Sequence, residues 1–173
     1  MSHSQAKLAA LVLSAVSTSF CEERNLDIEK MEKREVRHSM IGYRNTLLFY
    51  TFKGQAAILA ISIGNQDETF PLTGKLHLFP ESTTDEDLAK WVNNQHSDGL
   101  FVDIPTPAFS KEIPEKSGKI ISSKQTGTSD NTGRAGGKFK DFEVKFEISS
   151  LEADGKFKMA EFSDTAKVHV KAN

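Results

Sequence analysis

Residues 142–148 read Phe142-Glu143-Val144-Lys145-Phe146-Glu147-Ile148, and their strict alternation decides the fold class. Successive side chains of an extended strand point to opposite faces, so the four apolar residues face a core while Glu143, Lys145 and Glu147 stay in water. A strand with one wet face belongs to an antiparallel sheet. Just beyond it, Asp154-Gly155 is a dipeptide of the type that closes two-residue hairpins, and Phe157 and Met159 then alternate with Lys156 and Lys158. Ala166, Val168 and Val170, interleaved with Lys167, His169 and Lys171, repeat the pattern. The C-terminal third is therefore expected to be an antiparallel meander.

Upstream, Leu47 to Phe52 and Ala56 to Ile63 are β-rich runs separated by Lys53-Gly54-Gln55. They predict a tight hairpin whose strands are apolar on both faces and hence central in a sheet. Further strands are expected at residues 35–43, 75–79, 100–104 and 119–124, which brings the total to eight or nine. Residues 105–118 hold three of the five prolines and read as a loop. So does the stretch from Thr126 to Gly137, whose Thr, Ser, Asn, Asp and Gly content predicts a mobile connection.

One helix stands out. Thr83-Thr84-Asp85-Glu86 reads as a capping box, and Asp85, Glu86 and Asp87 fall in a first turn where the helix dipole favours anions. Leu88, Trp91, Val92 and Gln95 follow at helical spacing. The pattern predicts a helix over residues 84–95 with Trp91 facing the core and Gly99 as terminator. The N-terminus carries a second apolar run, Leu8 to Val16, with two readings. It makes either an amphipathic helix over residues 4–20, striped by Leu8, Leu11, Val12, Ala15 and Val16, or a secretory signal ending near Ala15 and Ser17. The helix is preferred, because only Lys7 supplies strong positive charge before the run.

The 173 residues suit one domain, residues 1–20 forming the helix and residues 35–173 a β-rich body. The expected class is α+β and predominantly antiparallel, a barrel or sandwich with an N-terminal helix and one short middle helix. No apolar run approaches the roughly 20 residues of a membrane-spanning helix. With 22 Lys and Arg against 24 Asp and Glu, the net charge of −2 lacks the electrostatic footprint of a dedicated nucleic-acid binder. A cytoplasmic location is expected, or export if residues 1–17 are a cleaved signal.

The search for chemistry finds no constellation. Gly137-Lys138 ends a Gly-rich stretch, but Phe139 stands where a phosphate-binding loop needs Ser or Thr, and a strand follows instead of a helix. His77, His96, Asp98 and Asp103 match no metal-ligand spacing. The single cysteine, Cys21, excludes an intrachain disulfide, and Glu22 and Glu23 beside it work against a thiolate. Lys138, Phe139, Lys140, Phe142 and Lys145 interleave charge and rings as single-strand binders do, yet strand alternation already accounts for Phe142. No catalytic, cofactor or metal residue is assigned. The expected function is a non-enzymatic protein–protein interaction or self-assembly module, a homo-oligomer with residues 126–137 as a partner-contacting loop anchored by Arg134 and Lys138. The alternatives are a barrel that binds an apolar small ligand, and an enzyme whose site is assembled from scattered residues.

Overall fold

The structure, a computed structural model, describes residues 23–37, 45–65, 68–95, 103–131, 137–153 and 155–172. The expected N-terminal helix, Cys21, His96, Asp98, Gly99 and Arg134 lie outside the described residues. Within them the fold is mostly antiparallel β with one α-helix, and its strands form three sheets, none closed into a barrel.

The largest sheet has five strands in the order of the chain: β2 (Met31–Arg37), β3 (Asn45–Phe52), β4 (Ala57–Gly64), β5 (Leu72–Leu78) and β6 (Phe109–Glu112). The apolar runs around Gly54 become β3 and β4, as the sequence leads one to expect. Phe52 pairs with Ala57 across the turn, where Gly54 takes φ 71° and Ala56 φ 48°. Left-handed backbone suits glycine and strains alanine, so the neighbouring structure must hold Ala56 in place. It does: Phe79 N donates to Ala56 O at 2.8 Å, and the Arg24 guanidinium donates to the same oxygen at 3.0 Å.

A second sheet of three strands, ordered β11-β8-β7, lies against the first; these are β7 (Gly118–Asn131), β8 (Gly137–Ile148) and β11 (Phe162–Lys171). A third, small sheet joins β9 (Leu151–Ala153) and β10 (Phe157–Met159) to β1 (Arg24–Leu26), with β1 parallel to β10. The C-terminal meander is thereby corrected. The Gly155 hairpin exists, but β8 ends at Ile148, and β9 and β10 leave for the small sheet before β11 returns to pair with β8.

The alternation at 142–148 places its apolar face inward. Val144, Phe146 and Ile148 are fully buried and share one cluster with Ala166 and Val168 of β11 and with Leu48, Tyr50, Leu59 and Leu76 of the facing sheet. Each such side chain contributes on the order of 1.5–3 kcal/mol through burial, so this cluster is the main store of folding energy. The opposite residues of the five-stranded sheet also find cover. Phe49, Ile58 and Phe79 pack under α1 (Asp85–Asn94), contacting Leu88, Trp91 and Val92 in a second cluster. This is why β3 and β4 are apolar on both faces.

The helix begins one residue later than its sequence suggests. Thr84 is the N-cap, its hydroxyl accepting from Asp87 N at 3.2 Å while the Asp87 carboxylate accepts from Thr84 N at 3.2 Å. The capping pair is thus Thr84 with Asp87, not Thr83 with Glu86. Two further expectations are corrected. The run from Thr126 is not a loop, because β7 continues to Asn131 in register with β8, and only residues 132–136 fall outside the described set. The proline-rich stretch 105–118 contains β6, whereas Asp103 and Ile104, the described end of the expected strand at 100–104, are not in a strand. The described residues hold eleven strands, more than eight or nine, because β1, β6 and β9 are only three or four residues long and carry no period to read.

Candidate interaction surface

Two long surfaces compete as places for a partner: the open edges of the sheets and the outer face of the five-stranded sheet. Open strand edges invite pairing with another chain, and folded proteins blunt them with charge, brevity or bulges. The edges at β2, β6 and β7 are blunted. β2 carries Glu32, Lys33, Arg34 and Glu35 in succession. β6 has four residues. β7 is long and exposed from Ile121 to Thr128, but its register with β8 shifts at two places, between Ile120 and Ser122 and between Gln125 and Gly127. Lys119 and Lys124 add charge, and Lys119 is held by Glu147 at 2.9 Å. Ile121, 45% exposed, sits at the first of these shifts.

The outer face differs. Among the described residues, α1 covers the part of this face that holds Phe49, Ile58 and Phe79, and a groove of about 770 Å³ runs along Leu47, Phe49 and Ala60. Its floor is Leu47, Phe49 and Ala60, and its rim carries Ser62, Thr73 and Lys75. The apolar residues are there because they continue the alternation of β3 and β4. Nothing in the local pattern separates those under α1 from those beyond its reach.

His77 stands where groove and helix meet. It is buried to 9% exposure, its ring centroid lies 4.8 Å from that of Trp91, and its Nδ1 is 2.8 Å from Ser110 Oγ. Burial, reinforced by the Lys75 charge, lowers its pKa to about 4, so it is neutral near pH 7. A base that weak is poorly matched to general-base work at neutral pH, and the exposed Ser110 gains little nucleophilicity from it. The His77–Ser110 pair positions the ring over Trp91.

A second histidine cluster lies on the outward face of the three-stranded sheet. His169 and Asp141 stand opposite each other on β11 and β8, and His169 Nδ1 meets Asp141 Oδ1 directly. Ser129 Oγ donates to the same oxygen at 2.8 Å. Serine, aspartate and histidine meet, but the serine bonds to the aspartate and not to the imidazole, which is not the order that activates a hydroxyl. Sequence reasoning treats His169 as a plain surface residue. Only the β8–β11 register, which brings residues 28 apart into one contact, reveals the pair.

The residues singled out from sequence do not converge. Lys138 opens β8 opposite Asp130, its side chain exposed and its carbonyl accepting from Ala172 N at 2.8 Å. Phe139 and Phe142 are buried, and Phe142 packs on Phe70 with centroids 5.4 Å apart. Asp103 takes φ 63° and joins no metal site: among the described residues no three His, Cys, Asp or Glu side chains cluster as ligands. Among these residues no helix is long and apolar enough to cross a membrane. Comparison of the chain with protein-family models, with curated proteins and with solved structures finds no match.

Proposed function

We propose that this chain is a non-enzymatic interaction module that self-assembles into a homo-oligomer, and that the outer face of its five-stranded sheet is the contact surface. The observation that carries this reading is the half-covered face. α1 packs over Phe49, Ile58 and Phe79, while Leu47 and Ala60, partly buried against that same cluster, line the groove. Apolar surface of this kind, rimmed by polar residues, is the usual mark of a protein contact. The blunted edges of β2, β6 and β7 argue for assembly through the face and against continuation of a sheet.

The sheets pack as a sandwich whose interior holds large side chains, Tyr50, Phe52 and Phe146 among them. That interior supports a structural core better than a ligand-holding barrel. The groove supplies a second reading: its volume lies within the roughly 300–1,000 Å³ range of small-molecule sites, so an apolar ligand could lie on Leu47 and Ala60. Leu47→Asp and Ala60→Asp test the main reading. Sedimentation velocity should show each variant dissociating at concentrations where the parent chain is associated, with an unchanged far-UV spectrum. Unaltered association in both variants removes the groove from the interface.

A further inference from the structure

Two glycines hold the stretch Glu112–Gly118 against β5. A Cβ on Gly74 would lie 2.5 Å from Ile113 Cδ1, and one on Gly118 would lie 2.3 Å from Leu72 Cδ2, so the chain can come this near only where side chains are absent. Backbone bonds fix the contact. Ile113 N donates to Gly74 O at 2.9 Å, Ser117 N to Pro114 O at 2.8 Å, and Ser149 N to Ser117 O at 2.8 Å. The stretch is a wall between two concavities, the broad groove on one side and a narrower pocket of about 360 Å³ on the other.

The narrow pocket lies where β5, β6, β9 and β10 come together. Its surface is polar and apolar in equal part, the apolar part including Leu76, Ile113, Leu151 and Phe157. The first, third and fourth belong to the main core, and Ile113 packs against it, so the pocket opens onto the hydrophobic interior. Its rim offers two hydroxyls, Ser117 and Ser150, and three charges, Lys111 against Glu112 and Glu152. A concavity that sets apolar side chains beside hydroxyl and charged groups can seat a molecule with an apolar and a polar end. Glu112 and Glu152 outnumber Lys111 in the lining, with Lys158 Nζ, outside the lining, 3.9 Å from Glu152; the lining itself disfavours an anionic head group.

We propose that this pocket binds a small amphiphile, an apolar body seated on Leu151 and Phe157 with a hydroxyl or ammonium head between Ser117, Ser150 and the rim carboxylates. The pocket shares Glu112, Ile113 and Pro114 with the groove, but Leu76, Ser150, Leu151 and Phe157 line the pocket and not the groove, so the two sites can be told apart at those residues.

Octanol, octylamine and octanoate, titrated below their micelle concentrations into the full chain and followed by calorimetry and methyl NMR, test the proposal. Octylamine and octanol should saturate, shifting the methyls of Leu76, Ile113 and Leu151, and octanoate should bind at least about tenfold more weakly than octylamine. Ser150→Trp, a substitution at an exposed rim position, should fill the mouth and weaken octylamine by at least about tenfold without moving the denaturant midpoint. Should that variant misfold, Lys111→Glu serves in its place and must widen the preference for octylamine over octanoate. Absence of saturation overturns the proposal, as do octanoate binding equal to octylamine, shifts confined to the groove, or an unchanged affinity in the variant. Oligomeric state enters none of these readings, so the result is separable from the fate of the assembly proposal.

Discussion

The Tyr50 hydroxyl donates to Asp164 Oδ2 across the seam between the two large sheets, at 2.7 Å. Tyr50 is 1% exposed on β3, Asp164 stands on β11, and Lys33 of β2 reaches the same carboxylate oxygen at 2.9 Å. Nearby, Thr46 Oγ1 donates to Lys167 O at 3.1 Å. β11, an edge strand of one sheet, is thus tied to β2 and β3 of the other by polar bonds at the border of an apolar core, where unpaired polar groups would be costly. Burial together with the bond to Asp164 holds the Tyr50 hydroxyl far above its ordinary pKa.

Burial pushes the Asp164 carboxyl up, but the hydrogen bonds from Tyr50, Lys33 and the Thr165 amide, with the Lys33 charge, outweigh it and leave the pKa below its usual 3.8. A carboxyl lowered in the native state stabilises the fold in full above the unfolded value and loses that contribution as pH falls through the native one. Asp164→Asn should therefore cost stability at pH 7, and the gap to the parent chain should shrink only below about pH 4. Denaturant midpoints across pH check it; a gap that is constant down to pH 2 contradicts the linkage. Tyr50→Phe should cost about 1–2 kcal/mol for the lost bond to a charged acceptor.

Trp91 meets three aromatic neighbours, Phe49 at 6.1 Å, Phe79 at 5.6 Å and His77 at 4.8 Å between centroids. It clamps α1 to the outer face of the sheet. Trp91→Ala should cost on the order of 3–5 kcal/mol, read as a lowered denaturant midpoint. An unchanged midpoint would mean that the helix does not anchor there.

His77 should remain neutral well below the usual histidine range. Its lowered pKa of about 4 means that the unfolded chain takes up a proton near pH 6.5 that the native chain refuses, so its contribution to stability is whole above 6.5 and is lost as pH falls toward 4. A ring-proton NMR titration should stay flat from pH 8 to about 5 and break near 4. A midpoint near 6.5 would show a solvated ring.

Gly74→Ala should push the Ile113 side chain out of its present rotamer, since the new Cβ would meet its Cδ1 at 2.5 Å and its Cγ1 at 3.2 Å. The cost expected of such overpacking is roughly 1–3 kcal/mol. Gly127→Ala on the same scale is a control, because nothing lies within 4 Å of its added Cβ. Equal midpoints in the two variants would show that the wall is not pinned as described.

Local period made much of this architecture readable. β8, β11 and the β3–β4 hairpin declare their faces because residues two apart share a side, and α1 declares itself through Thr84, Leu88, Trp91 and Val92. The reading of residues 126–131 failed because Thr, Ser, Gly and Asp favour turns, while tertiary pairing to β8 held them extended. Their partners are Asp141, Lys140, Phe139, Lys138 and Gly137, which strand propensity alone does not reveal. Barrel and sandwich share one alternation, and closure depends on which edges bond. Leu47 and Ala60 of the groove belong to the strands whose two apolar faces are legible in the sequence. The Asp141–His169 contact and the pocket behind Ile113 depend on register and on the close approach at Gly74, which leave no trace in periodicity.

Multi-angle light scattering of the full chain from low micromolar to several hundred micromolar bears most directly on self-assembly through the half-covered face. The account predicts a mass at a fixed small multiple of 19.2 kDa, falling toward that value on dilution and in Leu47→Asp. A constant 19.2 kDa at every concentration contradicts it.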